Sequence, residues 1–110
     1  MTTKPSEEDA ASVEKCLILG HGFHESEFAK VCEILHKINH RLAGTPAENA
    51  RLELLVKDRD GKEQKVTLEA GVGKAHLVAT AEDEDLWAAV AHAREEFLRL
   101  YNDWADKHKR

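Results

Sequence analysis

Cysteine is scarce in this chain: Cys16 and Cys32 are the only two among 110 residues. A disulfide framework or a thiolate zinc site needs several cysteines, usually in closely spaced pairs. Both cysteines lie in apolar stretches, a setting typical of inert buried thiols. We therefore expect both to be reduced and partly buried, with no redox motif built from them.

Long hydrophobic runs are missing as well. A helix that crosses a bilayer needs about 20 apolar residues, and no run in the sequence approaches that length. Residues 1–15 are polar and acidic and lack the apolar centre of a secretory signal. These two features predict a cytoplasmic protein with no membrane partner.

The sequence contains none of the common catalytic signatures, such as a nucleophile elbow, a P-loop or a Ser-His-Asp pattern. The stretch Gly71–Gly73 is too short and wrongly placed for a dinucleotide fingerprint. We therefore expect a protein that is not an enzyme and that uses no cofactor and no metal.

Basic charge is in deficit: 16 Lys and Arg stand against 21 Asp and Glu, which gives a formal net charge of −5. A generic nucleic-acid-binding domain usually carries a basic excess, so this balance argues against one. The total charge still leaves room for a local basic patch.

The chain is long enough for one domain whose hydrophobic core folds without disulfide bonds or a structural metal. Residues 1–14 are polar and poor in bulky apolar side chains, so we expect a mobile tail there. Residues 15–110 then form the domain, and they contain no internal repeat.

Six elements follow from the apolar periodicity of the domain. They are a strand at 16–19, a helix at 26–43, strands at 51–58, 65–70 and 74–81, and a helix from the acidic cluster at 82–85 to the C-terminus. In the turns we expect glycine at the left-handed positions, Gly44 after the first helix and Gly61 in the hairpin. The order predicts an α+β fold, a two-layer β-α-β-β-β-α sandwich with two helices packed on one face of a four-stranded, mainly antiparallel sheet.

The last strand and helix form the clearest local pattern. The acidic residues Glu82–Asp85 come where the free N–H groups of a helix and its positive dipole end favour carboxylates, and Asp85 can cap the helix. The same cluster could bind a divalent cation, but its spacing lacks the calcium-loop pattern, and the dipole is sufficient explanation. Apolar residues at helical spacing follow: Leu86, Val90, Ala93, Phe97, Tyr101 and Trp104.

Two phrases in this region carry a likeness to a known family: Leu77–Ala81, which reads LVATA, and Glu84–Val90, which reads EDLWAAV. They resemble the short ribosome hibernation-promoting factors, also called protein Y, ribosome-associated inhibitor or sigma-factor modulation proteins. In that family a strand ending in L-x-A-x-A or LVAS precedes an acidic pair and then D-[LM]-[YFW]-x-A-I. As topology the likeness covers about 15–110, and as a motif it covers 77–90.

The resemblance implies a non-enzymatic factor that binds the small ribosomal subunit in the channel used by mRNA and tRNA. Such factors block initiation, keep idle ribosomes intact, and present Lys and Arg from two helices to rRNA phosphates. The long members carry an additional dimerisation domain, so we expect the short type here. The rRNA-binding residues that we expect are Lys30, Lys37, His40 and Arg41 on the first helix, and Arg94, Arg99, Lys107, Lys109 and Arg110 on the second.

The second helix departs from the family pattern. That helix is usually rich in Lys and Arg, whereas here it carries Glu95, Glu96, Asp103 and Asp106. An alternative function follows: a protein-interaction or dimerisation module on the same fold that has lost ribosome binding and uses the acidic helix or a free sheet edge. The basic face of the first helix also fits an ordinary solvated surface.

Two further features have alternative interpretations. The stretch His21–Glu25 holds residue types that bind zinc, but no second ligand pair follows at a fixed spacing, which favours a solvated loop. Trp87, Tyr101 and Trp104 could stack on bases. The last two lie on the apolar stripe, which favours a position in the core or at its edge, whereas Trp87 could be partly exposed.

Overall fold

The computed structural model describes residues 9–108, which form one four-stranded sheet covered by helices. The strands are β1 Leu17–Leu19, β2 Ala50–Lys57, β3 Gln64–Val72 and β4 Ala75–Asp83. The α-helices are α1 Val13–Cys16, α2 Phe28–Leu35, α3 Asn39–Leu42 and α4 Leu86–Lys107. Short 3-10 turns cover Glu25–Glu27, His36–Ile38 and Ala47–Asn49.

The strands lie in the order β1-β2-β3-β4. β1 is parallel to β2, with Leu17 opposite Leu52, because residues 20–49 cross over between them. β3 is antiparallel to both of its neighbours, β2 and β4. The mixed sheet with helices on one face confirms the predicted α+β two-layer sandwich.

The core lies between the helices and one face of the sheet. Alternate residues of β2 and β3 point into it, which is the alternation expected for an antiparallel sheet with one solvated face. The largest fully buried side chains come from both layers: Phe97, Leu35, Ile38, Leu42, Leu52, Leu54, Leu68, Val13, Val31, Val66 and Val90. Gln64 is the one buried polar residue among 9–108; its side chain accepts from Asp60 N and donates to Glu84 O.

Residues before the expected domain boundary at 15 take part in the fold. Ala11 and Val13 are buried, and Val13 starts α1. The Val13 N–H donates to Asn39 Oδ1 at 2.8 Å, and Ala11 N–H donates to Thr45 O at 2.7 Å. The tail prediction therefore fails for residues 9–14, because two small apolar side chains find a place in the core. Residues 1–8 lie outside the described part of the chain.

The first helix is divided, although a single helix was expected over 26–43. We call residues 25–42 the first helical segment: it consists of α2 and α3 with 3-10 turns before and between them. The tighter turn at 36–38 keeps Leu35, Ile38 and Leu42 fully buried on one side.

The left-handed turn positions differ from expectation. In the β2–β3 hairpin, Asp58 and Asp60 take positive φ values of 59° and 71°, and Gly61 does not. Aspartate tolerates this conformation better than most residues because its short side chain can hydrogen-bond locally. Gly44 likewise has no positive φ, whereas Gly22 and Gly73 do, at 90° and 59°.

The acidic cluster before α4 is also split between two elements. Glu82 and Asp83 were expected in the first turn of the helix, but they belong to β4. Asp85 is the N-cap of α4, as predicted, and its Oδ1 accepts from Trp87 N at 3.0 Å.

Over the described range 9–108, no helix is both long enough and apolar enough to traverse a bilayer.

Candidate nucleic-acid interface

A cleft of about 260 Å³ separates the first helical segment from α4. Lys37, His40 and Arg41 line one wall. Glu95, Leu98 and Asn102 line the other. We call this the two-helix cleft. It brings together three of the nine residues expected to bind rRNA.

The local structure explains why the three basic side chains share the cleft. Positions 37, 40 and 41 are three and four residues apart, so they project from one side of the helical segment. Ile38, between Lys37 and His40, and Leu42, which follows Arg41, are fully buried and fix the segment against the core. The basic side chains are therefore held at the surface by the packing beneath them.

Lys37 is paired across the cleft with a carboxylate. Its Nζ lies 3.3 Å from both carboxylate oxygens of Glu95. The side chains are 59% and 49% exposed, so water competes for both partners. Hydrogen bonds from Arg94 and, to a smaller extent, from Lys37 lower the pKa of Glu95. Glu95 thus occupies the position that an anionic ligand would take against Lys37.

Arg41 has a neutral partner across the same cleft. Its Nε donates to Asn102 Oδ1 at 3.0 Å, and its side chain makes no ion pair with the described residues. The charge of Arg41 is therefore uncompensated by contact, and an amide is a weaker competitor than a carboxylate for an incoming anion.

Arg94 joins α4 to α2 through hydrogen bonds. Its Nη1 donates to Ile34 O at 2.9 Å, near the end of α2, and its Nε donates to Glu95 Oε2 at 2.8 Å. A carbonyl in the last turn of a helix lacks an intrahelical donor, and a cation there also meets the negative dipole end. The Arg94 side chain is only 23% exposed and does not line the cleft, so its contacts support a structural role between the two helices.

The other predicted cations lie elsewhere. Arg99 is bound by Glu96 at 2.8 Å and Asp103 at 3.2 Å on α4, a network away from the cleft lining. Lys30 and Lys107 are exposed and do not line the cleft. Lys109 and Arg110 lie outside the described residues.

Trp87, Tyr101 and Trp104 are all half-buried, so they do not divide between the apolar stripe and the surface as expected. Trp87 and Tyr101 are half-buried against the core. Phe97, Tyr101, Trp104 and His108 continue as a row of rings along α4, with the last two centroids 4.3 Å apart. Trp104 is half-buried and stacks on His108, at the far end of this row.

His21 and His24 are both exposed. The backbone N–H of His24 donates to Glu27 Oε1 at 2.9 Å, which starts the following 3-10 turn. Within residues 9–108, no three histidine, cysteine, aspartate or glutamate side chains are grouped closely enough to hold a metal ion. Cys16 and Cys32 are free and buried, and burial raises the pKa of the Cys32 thiol.

Sequence reasoning missed the second wall of the cleft. Glu95 was noted only as an acidic departure, and Leu98 and Asn102 carried no signal. Their spacing of three and four residues places them on one helix face, but no local pattern says that this face meets Lys37.

Comparison with known proteins supplies no family: no family model matches the sequence, and no curated protein matches it significantly.

Proposed function

We propose that this protein is a ribosome-associated, hibernation-type translation inhibitor that binds rRNA of the small subunit in the cytoplasm without catalysing a reaction. The two-helix cleft carries the proposal, because Lys37, His40 and Arg41 converge there on one exposed wall. The β-α-β-β-β-α order and the phrase at 77–90 support it, since both resemble the short hibernation-promoting factors.

Binding at this cleft exchanges partners. A backbone phosphate replaces Glu95 as the partner of Lys37 and Asn102 as the partner of Arg41. The phosphate makes charge-assisted hydrogen bonds to both cations, while His40 lies beside them. The released Glu95 carboxylate keeps its hydrogen bond from Arg94, so it is not left unpaired.

The acidic surroundings limit the footprint to a few phosphates. Glu96 and Asp103 already occupy Arg99, and they repel a nucleic-acid backbone from that flank of α4. Each phosphate contact contributes roughly 0.7 to 0.9 to the slope of log K against log salt. With Lys37 and Arg41 as the two main contacts, we expect a shallow slope of roughly −1.4 to −1.8.

The first test reverses the two charges of the cleft. Lys37→Glu combined with Arg41→Glu should abolish co-sedimentation with ribosomes in a sucrose gradient at low salt, because the cleft then repels phosphate. The matched control is Lys62→Glu with Lys74→Glu, which changes the net charge equally at two exposed turn positions. Normal co-sedimentation of the cleft variant, or equal loss in both variants, contradicts this site.

The second test removes the internal competitor. Glu95→Gln leaves Lys37 without an ion-pair partner, so affinity for a ribosomal RNA fragment should rise. We expect a gain of about two- to fivefold, the range of an exposed ion pair. Glu63→Gln, which removes one negative charge at an exposed position of the β2–β3 turn, is the control. Unchanged or weaker binding of Glu95→Gln, measured by fluorescence anisotropy, contradicts the partner exchange.

A further inference from the structure

β4 is an edge strand, and no other strand among residues 9–108 pairs with its outer side. All nine of its residues pair with β3, from Ala75 with Val72 to Asp83 with Gln64, so no bulge interrupts it. It contains no proline, glycine or lysine. Proteins usually protect a long free edge with such features. β4 therefore presents an unprotected row of backbone donors and acceptors.

The opposite edge of the sheet offers much less. β1 has three residues, and its exposed apolar side chain is Ile18. A strand of this length provides few hydrogen bonds to a second chain. Of the two edges, only β4 is long enough to support strand pairing by itself.

Apolar surface follows the free edge of β4 on both faces of the sheet. Val78, next to the central residue Ala79, points to the solvated face and is 50% exposed. Leu77 and Ala81 point toward the helix layer, yet both are only half-buried, whereas Ala75 and Ala79 on the same face are buried. Coverage by a further strand would remove these three apolar side chains from water.

We propose that two copies of this chain pair through β4 as antiparallel strands related by a two-fold axis at Ala79, which joins the two sheets into one of eight strands. Val78 then lies opposite Thr80 of the second copy, and His76 lies opposite its Glu82. On the helix side, Leu77 meets Ala81 of the second copy. Each of these contacts occurs twice.

The strand is complementary to itself only in this orientation. His76 lies near one end and Glu82 near the other, so an antiparallel pair brings imidazole against carboxylate at both ends. A parallel pair brings Glu82 against Glu82. A two-fold pair also closes, so it gives a dimer rather than a fibre. These features favour a second copy over an unrelated extended peptide. The proposal does not rest on rRNA binding.

Sedimentation equilibrium of the whole chain provides the test. We expect a concentration-dependent dimer, and Val78→Lys should raise the dimer dissociation constant by about tenfold or more, because two like charges meet near the axis. Ile18→Lys is the matched control, an exposed apolar residue on the same sheet face at the other edge. Circular dichroism confirms that each variant is folded, since both side chains face solvent.

Three outcomes overturn the proposal. They are a wild-type chain that stays monomeric up to millimolar concentration, a Val78→Lys variant that dimerises normally, and equal weakening by Ile18→Lys. A monomer leaves an extended peptide as the occupant of this edge.

Cross-linking tests the register independently of stability. Directly opposite side chains in an antiparallel pair approach closely enough for a disulfide, whereas diagonal neighbours are about 7 to 8 Å apart. A mixture of Val78→Cys and Thr80→Cys chains should therefore oxidise mainly to the mixed dimer. The wild-type chain controls for Cys16 and Cys32, which are buried. A predominant 78-to-78 disulfide, or no disulfide, overturns the proposed pairing.

Discussion

Arg59 joins two loops that are far apart in sequence. Its Nη1 donates to Gly22 O at 2.7 Å and to Glu27 Oε1 at 2.8 Å, and its Nη2 donates to the other oxygen of Glu27. Its guanidinium also lies 5.9 Å from the centroid of the Phe23 ring. A half-buried bidentate pair of this kind is stronger than an exposed one because less water competes for it. Arg59 therefore fixes the β2–β3 hairpin turn to the entrance of the first helical segment.

The Arg59 ion pair should make folding depend on acid pH. The hydrogen bond from Arg59 lowers the pKa of Glu27 from 4.5 to about 2. Since the folded pKa lies below the unfolded one, the stabilisation is complete above pH 4.5 and is lost as the pH falls toward 2. The full shift corresponds to roughly 3 kcal/mol of unfolding free energy.

Urea unfolding at a series of pH values measures this contribution. Glu27→Gln should be less stable than the wild type at pH 7, and the difference should shrink progressively at acid pH. Glu25→Gln, an exposed residue of the same 3-10 turn, is the control. A constant difference between wild type and Glu27→Gln across this pH range would contradict the role of the pair.

Gly22 is a second residue whose identity the fold requires. Its φ is 90°, and a Cβ there would lie 2.6 Å from Val56 O and closer still to Val56 Cγ1. Gly22→Ala should reduce the unfolding free energy by roughly 2 to 4 kcal/mol, from backbone strain and overpacking. Gly44→Ala is the control, because no atom lies within 4 Å of the added methyl group. Equal melting temperatures for the two variants would contradict the steric argument.

Among the elements, α4 has a start that depends on one side chain. Asp85 caps the helix through Trp87 N, while Glu84 next to it is exposed and contributes only its backbone carbonyl, which accepts from Gln64. Asp85→Ala should lower the unfolding free energy by about 1 kcal/mol. Glu84→Ala should change it little. Chemical denaturation of the two variants distinguishes a cap from a general effect of acidic charge near the N-terminus of the helix.

The elements show where sequence patterns succeed. The alternation of β2 and β3 and the stripe of α4 report burial of one face, a property that each segment carries in its own residues. The contact of the first helical segment with the N-terminal residues is different, because Asn39 Oδ1 accepts a hydrogen bond from Val13 N, 26 positions away. The candidate site has the same limit. The basic wall was predicted, but Lys37 and Glu95 meet across 58 positions, a distance over which periodicity gives no information.

At the scale of the whole molecule, the proposed surfaces use different parts of one sandwich. The two-helix cleft lies between the helices on one face of the sheet, and the β4 edge lies along its margin. Neither surface shares a named side chain with the other, so variants can address them separately. The net charge of −5 does not describe how charge is distributed over the surface, because the basic wall of the two-helix cleft lies beside the acidic residues of α4.

The parallel pairing of β1 with β2 sets an order of assembly. Residues 50–107 form a continuous unit in which each strand and α4 follows its neighbour in the chain. β1, by contrast, can join only after the crossover 20–49 has closed a long loop, so it should dock late and detach first. Native-state hydrogen exchange should then show lower protection in β1 than in β2 and β3, and equal protection would contradict this order. During synthesis, the strand that leaves the ribosome first must wait for β2 before it has a partner.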